Sequence, residues 1–158
     1  CEDDLVADAK RIMETAHRQH KDIPLPVDVV VASELSENAV AEVKEVSAVE
    51  KGDMILDIGP KTVELYGEIL MRAKTVVWNG PVGAFEIDQF GEGTRKLAEI
   101  IADSPAFSFA GGGDTVTAVQ KYKVRDKMDY VSTAGGALLE FMEGRVLPAV
   151  AALEDRAR

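Results

Sequence analysis

Three glycine-bearing segments carry the residues of this sequence that are best suited to hold a ligand. They are residues 79–86, 111–115 and 132–137. Glycine lets the main chain turn tightly and approach a ligand closely. Main-chain amides and helix N-termini can bind phosphate without any positive side chain. These segments therefore predict an anion site that is lined by backbone rather than by lysine or arginine.

The second segment reads Gly111-Gly112-Gly113-Asp114-Thr115, and its side chains suit a phosphate and its metal. The Asp114 carboxylate is a hard oxygen ligand of the kind that Mg²⁺ prefers, and the Thr115 hydroxyl can bond a phosphate oxygen. The same residues also fit an ordinary strand-to-helix turn in which Asp114 is the N-cap. Taken alone, the segment leaves both interpretations open.

The first segment combines a rigid bend with an acidic residue. The bend, residues 80–83, is poor in side chains and can lie flat against a planar base. Glu86 is an acceptor of the kind that binds ribose hydroxyls. The alternative is a tight loop in which Trp78 and Phe85 belong to the core and Glu86 lies in solvent.

The third segment places free amides and the positive end of a helix dipole after the last strand. Such amides can stabilise negative charge on a phosphoryl group in transit. The alternative is a helix N-cap formed by Ser132 or Thr133, followed by small residues for close packing. A further segment, residues 57–60, is taken alone as the end of a strand.

Helical and strand patterns alternate around these segments. This order predicts an α/β fold with a parallel sheet and helices on both faces, a Rossmann-like three-layer arrangement. Ligands of such sheets bind beyond the carboxyl ends of the strands, so the glycine-bearing segments are expected to meet at one edge. The predicted strands are 27–32, 54–58, 75–78, 107–110 and 130–131. The predicted helices include 3–19, 92–103 and one that starts at Gly59-Pro60, whose buried face is Tyr66, Ile69, Leu70 and Ala73. A short helix or irregular turns are predicted in 33–50.

Composition excludes several classes of function. The 158 residues carry a formal net charge of −10, which argues against nucleic-acid binding because that requires a basic surface. The apolar runs are shorter than a membrane span, and the single cysteine, Cys1, allows no internal disulfide. A cytoplasmic protein with no membrane or nucleic-acid partner is expected. No Walker A sequence occurs, and no dinucleotide-binding glycine pattern follows the first strands.

Together and in this order, four segments resemble phosphoglycerate kinase. They are residues 57–60, 77–86, 110–115 and 131–148. The resemblance implies reversible phosphoryl transfer from 1,3-bisphosphoglycerate to ADP, which gives 3-phosphoglycerate and ATP in glycolysis. Positioning and charge neutralisation would supply most of the catalysis.

The resemblance also implies roles for individual residues, with ATP or ADP and Mg²⁺ as the bound groups. The residues similar to nucleotide-binding positions are the adenine-pocket walls Leu56, Gly80, Pro81, Gly83 and Ala84, the ribose acceptor Glu86, and the phosphate-side residues Asn79, Gly112, Gly113, Asp114 and Thr115. Asp114 is similar to the magnesium ligand. The residues similar to catalytic positions, through amides that face the transferred phosphoryl group, are Gly113, Gly135 and Gly136.

Two small departures and one large absence qualify the resemblance. Ala134 stands where many members have glycine, which preserves the amide, and Leu138 stands where serine is common. The family's amino-terminal domain, which binds phosphoglycerate through basic residues, is absent together with early strands of the nucleotide-binding domain. We therefore expect residues 1–158 to be the carboxyl-terminal part of that domain, with the sheet incomplete. Alone it is expected to bind nucleotide at most and to have no kinase activity.

Assembly and competing functions follow from the same absence. Phosphoglycerate is expected to bind only with the missing domain, and the parent enzyme is expected to be a monomer. An unpaired sheet edge can let this chain self-associate. The alternative function is a non-catalytic nucleotide-binding or interaction module. A third reading, a dehydrogenase, predicts NAD binding instead.

Overall fold

The computed structural model describes residues 2–157, which form two small sheets and six α-helices. Short turns of 3₁₀-helix occur among them. The strands are β1 Asp28–Ala32, β2 Glu42–Glu45, β3 Met54–Ile58, β4 Thr75–Trp78, β5 Phe107–Ala110 and β6 Tyr130–Val131. The helices are α1 Val6–Arg18, α2 Pro60–Arg72, α3 Glu92–Asp103, α4 Gly113–Lys121, α5 Gly136–Met142 and α6 Pro148–Arg156.

The last three strands form a parallel sheet in the order β4-β5-β6. Trp78 pairs with Ala110, and Ala110 pairs with Val131, so the three strands end nearly level. Helices α3 and α4 contribute apolar side chains to the core beside this sheet. The predicted parallel sheet flanked by helices is confirmed here. The buried core residues are Val76, Trp78, Phe85, Ala98, Ile101, Ala106, Ala110, Ala118, Val119, Val124 and Met128.

The first strands differ from the prediction, because they form a separate antiparallel sheet in the order β2-β1-β3. A parallel pair needs a crossover of a dozen or more residues, usually a helix. The segment between β1 and β3 supplies no such helix. It forms strand β2 and a 3₁₀ turn, Val46–Ala48, where a short helix or irregular turns were predicted. With β2 lying along one edge of β1, β3 returns antiparallel along the other edge.

Helices α1 and α2 are less covered than their sequence patterns predict. No residue of α1 is buried. On α2 the buried residues are Thr62 and Gly67, and Ile69, on the predicted buried face, is 45% exposed. That face of α2 borders a mostly apolar hollow of about 320 Å³ beside β4. Within residues 2–157, the far edge of β4 pairs with no strand, as expected for an incomplete sheet.

Every helix in residues 2–157 is too short or too polar to cross a membrane.

Candidate functional site

The carboxyl ends of β4, β5 and β6 lie along one edge of the parallel sheet, and the predicted segments start there. The segment 79–86 follows β4, 111–115 follows β5, and 132–136 follows β6. Because the strands are parallel and in register, all three chains leave the sheet on the same side. The predicted convergence of the three segments is therefore present in the fold.

The first two segments are joined by direct hydrogen bonds. The Asn79 side-chain amide donates to the Gly111 carbonyl over 2.9 Å. The Gly80 amide donates to the Thr115 hydroxyl oxygen over 2.7 Å. Thr115 is only 1% exposed, so in this structure its hydroxyl holds the two segments together. The sequence had predicted only a phosphate contact for that hydroxyl.

The second and third segments line one hollow of about 210 Å³. Its walls come from the start of α4 and from the chain that follows β6. The Ser132 amide donates to the Ala110 carbonyl over 2.7 Å, which keeps the third segment beside β5. The residues that line this hollow are Gly112, Gly113, Val116, Ser132, Thr133 and Gly135.

Gly112 has a backbone conformation that only glycine adopts without strain. Its φ is +97° and its ψ is 146°. A Cβ atom there would also lie 3.0 Å from the Asn79 side-chain nitrogen. At Gly113, by contrast, a Cβ would meet nothing within 4 Å. The chain is thus tightly constrained at one glycine and open at the next.

Helix α4 begins at a glycine, which rules out one of the two interpretations of its first turn. The N-cap is Gly112, which has no side chain to bond the first amides. Asp114 is the second helical residue and is exposed, so the interpretation that it caps the helix is wrong. Among residues 2–157, no acceptor is found for the amides of Gly113 and Asp114. These donors face solvent at the positive end of the helix dipole.

Helix α5 likewise begins at a glycine. Its N-cap is Gly135, with φ of +54° and no side-chain bond to the helix. The alternative in which Ser132 or Thr133 caps this helix is therefore wrong. The Ser132 hydroxyl instead accepts the Ala134 amide over 3.1 Å. Gly136 is the first helical residue.

The predicted adenine-side residues link the first segment to the antiparallel sheet. The Ala84 amide donates to the Leu56 carbonyl over 2.8 Å. The Leu56 side chain is 8% exposed and packs in a small core cluster with Ala32 and Phe90. Pro81 is half-buried. The structure thus places Leu56 and Ala84 together, with the leucine side chain mainly inside the core.

Glu86 is exposed and borders a different hollow of about 360 Å³. The other residues around it are Glu37, Ile87, Asp88 and Gln89. The Gln89 side-chain amide donates to the Ser36 carbonyl over 2.9 Å, which fixes this wall against the loop after β1. The structure therefore separates the predicted ribose acceptor from the hollow beside α4.

Asp57 is a buried carboxylate that the sequence pattern marks only as part of a strand end. It is 1% exposed, and it accepts the Gly93 amide over 2.7 Å and the Ile58 amide over 2.9 Å. Burial raises its pKa to about 6, against the lowering effect of those two hydrogen bonds. A Cβ on Gly83 would lie 2.3 Å from this carboxylate. Asp57 therefore fixes both the start of α3 and the path of the segment 79–86.

Lys121, at the end of α4, was also missed. Its ammonium group donates to the Phe85 carbonyl over 2.6 Å and pairs with the Asp88 carboxylate at 2.8 Å. No motif marks a single lysine in the polar end of a helix. Asp57 did leave a signal, because a charged residue inside the apolar run Leu56-Asp57-Ile58 has to be bonded if it is buried.

The carboxylates near the open helix start do not form a protein-only metal site. Within residues 2–157, no three His, Cys, Asp or Glu side chains come together to hold a metal ion. Asp114 stands alone in the first turn of α4. One carboxylate together with substrate phosphates is a common way to bind Mg²⁺. The donor set therefore fits a magnesium ion that arrives with a polyphosphate.

These features define an α/β domain in which backbone donors converge beyond the ends of parallel strands, at an edge suited to an anion. The phosphoglycerate kinase family matches residues 1–145 of this chain. The phosphoglycerate kinase of Nitratidesulfovibrio vulgaris is 59% identical over 155 residues, which cover 98% of this chain and 39% of that protein. The chain therefore belongs to the phosphoglycerate kinase family.

Solved structures of the family agree with this membership. Phosphoglycerate kinase from Coxiella burnetii superposes with a TM-score of 0.94 at 49% identity, covering 100% of this chain and 41% of that one. The enzyme from Pyrococcus horikoshii OT3 gives a TM-score of 0.81 at 37% identity, covering 96% of this chain and 36% of its own. The chain thus spans about two fifths of the length of these relatives.

Proposed function

We propose that this chain is the carboxyl-terminal part of the nucleotide-binding domain of a phosphoglycerate kinase and that it binds Mg-bound ADP or ATP. The observation that carries the proposal is the open start of α4. The amides of Gly113 and Asp114 have no acceptor within residues 2–157, and they lie beside the hollow that the third segment also lines. A polyphosphate supplies the missing acceptors without requiring a basic protein.

The proposed roles follow the order of groups along a nucleotide. The amides of Gly112 and Gly113 bind phosphate oxygens, and Asn79 lies on the phosphate side. The Glu86 carboxylate accepts the ribose hydroxyls. Gly80, Pro81, Gly83 and Ala84 line the base, together with Leu56. The bond between the Gly80 amide and Thr115 then keeps the base and phosphate ends at a fixed separation.

Magnesium, when bound with the nucleotide, neutralises charge between the phosphates. Asp114 is the residue that would hold it, through an exposed carboxylate at the α4 start. The buried Thr115 hydroxyl accepts a hydrogen bond from the Gly80 amide. Thr115 therefore acts on the site by fixing the conformation of the loop. Any direct contact of its hydroxyl with phosphate is secondary.

In the whole protein we propose the family's reaction. The acyl phosphate bond of 1,3-bisphosphoglycerate breaks as a terminal oxygen of ADP bonds to the phosphorus, which releases 3-phosphoglycerate and forms ATP. In this proposal the amides of Gly113, Gly135 and Gly136 stabilise charge on the phosphoryl group during transfer. Phosphoglycerate itself is bound by the other domain, and the enzyme works in the cytoplasm.

The chain alone is proposed to bind nucleotide without catalysing transfer. A coupled assay of the purified chain should show no ATP formation, while calorimetry should show Mg·ADP binding. Turnover by the chain alone would contradict the proposed division of labour. Binding of NADH in place of Mg·ADP would contradict the nucleotide assignment.

The second candidate is a non-catalytic nucleotide-binding module, which the open start of α4 would serve equally well. The two candidates differ in what the longer protein contains. Phosphoryl transfer by the longest natural polypeptide that includes this sequence would select the kinase.

The open edge of β4 leads to a proposal about assembly. Val77 is 45% exposed beside an apolar hollow, and unpaired strand edges associate readily. The chain alone is proposed to self-associate there, whereas the whole protein is proposed to be a monomer. Sedimentation of the chain at several concentrations measures this association, and a monomer at every concentration would contradict it.

A further inference from the structure

Lys121 lies where the last turn of α4 meets the segment that carries Glu86. Its ammonium group donates to the Phe85 carbonyl over 2.6 Å and pairs with the Asp88 carboxylate at 2.8 Å. It also lies 6.0 Å from the centre of the Phe85 ring and 5.8 Å from that of Tyr122. Its two polar partners thus stand on either side of Glu86 in the sequence.

Helix α4 runs from its uncapped start at Gly113 to the contact that Lys121 makes at its end. Gly113 begins the helix and Lys121 ends it, so about 12 Å of regular helix separates them. Phe85 is 3% exposed and belongs to the core, so the residue that carries this carbonyl is anchored. Helix α4 therefore carries the proposed phosphate donors at one end and, at the other, the contact with Phe85 and Asp88, which flank the proposed ribose acceptor.

Charge gives a second reason for the contact. The hollow beside Glu86 is bordered by two other carboxylates, those of Glu37 and Asp88. The hydrogen bond from Lys121 lowers the pKa of Asp88, so that residue stays ionised and paired. With the lysine ammonium present, the negative charge of Asp88 is compensated locally.

We propose that Lys121 is a positioning residue for nucleotide recognition, which fixes Glu86 relative to the start of α4 through the Phe85 carbonyl and Asp88. This inference rests on the proposed function, because it takes Glu86 as the acceptor of the ribose hydroxyls. Lys121 acts through Glu86 and contacts no phosphate itself. Its removal should therefore weaken recognition of the ribose more than recognition of the phosphates.

The test compares Mg·ADP with Mg·2′,3′-dideoxy-ADP in calorimetric titrations of the full chain. The ratio of their two affinities measures recognition of the ribose hydroxyls and cancels general charge effects. Lys121→Met should lower Mg·ADP affinity about tenfold, with little effect on the dideoxy analogue. Lys123→Met is the matched control, because it removes the same charge from an exposed residue nearby and should leave the ratio unchanged.

Glu86→Gln separates positioning from a merely structural effect. If Lys121 acts through Glu86, then adding Lys121→Met to the Glu86→Gln background should change affinity by less than about twofold. Thermal melting establishes that each variant is folded. If Lys121→Met fails to fold, Asp88→Asn is tested instead, because Asp88 is exposed and its replacement removes one of the two polar contacts of Lys121. The ratio of the ADP and dideoxy-ADP affinities should then fall about twofold.

The outcomes distinguish the inference from the function on which it rests. If the wild-type chain does not bind Mg·ADP, both are overturned. If wild type binds and prefers ADP over the dideoxy analogue, and Lys121→Met keeps that preference, only the inference is overturned. Fully additive effects of Lys121→Met and Glu86→Gln would overturn it too, since the lysine would then act independently of Glu86.

Discussion

The helices of the two sheets begin in opposite ways. Helices α2 and α3, which contact β1 and β3, have first-turn amides bonded by the buried aspartates Asp28 and Asp57 of those strands. Helix α4, which follows the parallel sheet, starts at Gly112 with no side-chain cap. In the first region the protein supplies the negative charge that a helix N-terminus attracts. In the second region, no acceptor within residues 2–157 bonds the amides of Gly113 and Asp114.

The two buried aspartates also differ from each other. Each is 1% exposed. Burial alone would raise the pKa of Asp28, but hydrogen bonds from the Thr62 hydroxyl and from the Lys61 and Thr62 amides outweigh burial, and the pKa is lowered. Asp57 has two amide donors and is desolvated more strongly, so burial dominates and raises its pKa to about 6. The depth of burial and the number of donors together decide the direction of each pKa shift.

The two buried aspartates therefore lie away from the open amides of α4. Both aspartates lie on the antiparallel sheet, inside the protein. The open amides lie at the ends of the parallel strands, where Asp114 is the only acidic side chain in the first turn of α4. A net charge of −10 is therefore compatible with binding a polyphosphate.

The largest loss of stability is expected when the aspartate that accepts the first-turn amides of α2 is removed. Asp28→Ala leaves the Lys61 and Thr62 amides without their carboxylate acceptor and removes one of the two acceptors of the buried Thr62 hydroxyl. The free energy of unfolding should fall by about 3 kcal/mol, as measured by urea denaturation. Asp8→Ala removes an exposed ion pair and is the control, with an expected loss below about 0.5 kcal/mol. A similar small loss for both would refute the role given to Asp28.

The next effect concerns pH and Asp57. Its pKa in the folded chain, about 6, lies above the ordinary value of 3.8. As pH rises from about 4 to 6, the unfolded chain releases this proton first, so the contribution of Asp57 to stability declines as pH rises. Relative to Asp57→Asn, the wild-type chain should lose about 2 kcal/mol of unfolding free energy between pH 4 and pH 7.

Urea denaturation of both chains across that pH range measures this difference. The other carboxylates titrate in both proteins and cancel in the comparison. A difference that stays constant with pH, or that grows in favour of wild type as pH rises, would be inconsistent with a raised pKa at Asp57.

A smaller loss of stability is expected at the N-cap of α4. Gly112→Ala forces alanine into a conformation with φ of +97° and places its Cβ against Asn79. The unfolding free energy should fall by about 1–2 kcal/mol, as followed by thermal or urea denaturation. An unchanged stability would mean that the loop can adopt another conformation at little cost.

The smallest effect on stability, with a clear effect on binding, is expected one residue later. Gly113→Ala meets no neighbouring atom within 4 Å, and alanine is a better helix former than glycine. Stability should therefore stay the same or rise slightly. Affinity for Mg·ADP should fall about tenfold, because the new methyl group occupies space beside the free amides. Calorimetry checks the affinity, and unchanged binding would argue against phosphate contact at Gly113.

Much of the fold could be predicted because local signals were strong. The pattern of Leu97, Ile100 and Ile101 marks a helix, and α3 spans Glu92–Asp103 as expected. The strands ending at Trp78, Ala110 and Val131 were also predicted, and their parallel pairing is confirmed. Pairing direction failed for β1 and β3. That choice depends on the intervening chain, whose polar residues 42–45 carry little strand signal.

The site, like the fold, could be predicted in part from the sequence. The convergence of the three glycine-bearing segments follows from their positions after parallel strands, so it could be predicted. The roles of Thr115, Asp57 and Lys121 could not, because each bonds a partner more than 30 residues away. The alternative in which Asp114 caps α4 was wrong, because the N-cap lies two residues earlier, at Gly112. A φ of +97° at Gly112 sets the helix start, and sequence alone does not specify that angle.

The most direct test of the central claim is an amide-resolved NMR titration of the chain with Mg·ADP. Large shift changes are expected at Gly112, Gly113 and Asp114, whose amides are open. Little change is expected at Thr62 and Gly93, whose amides are held by aspartates. Shift changes confined to the closed helix starts, or none at the start of α4 despite binding, would contradict it.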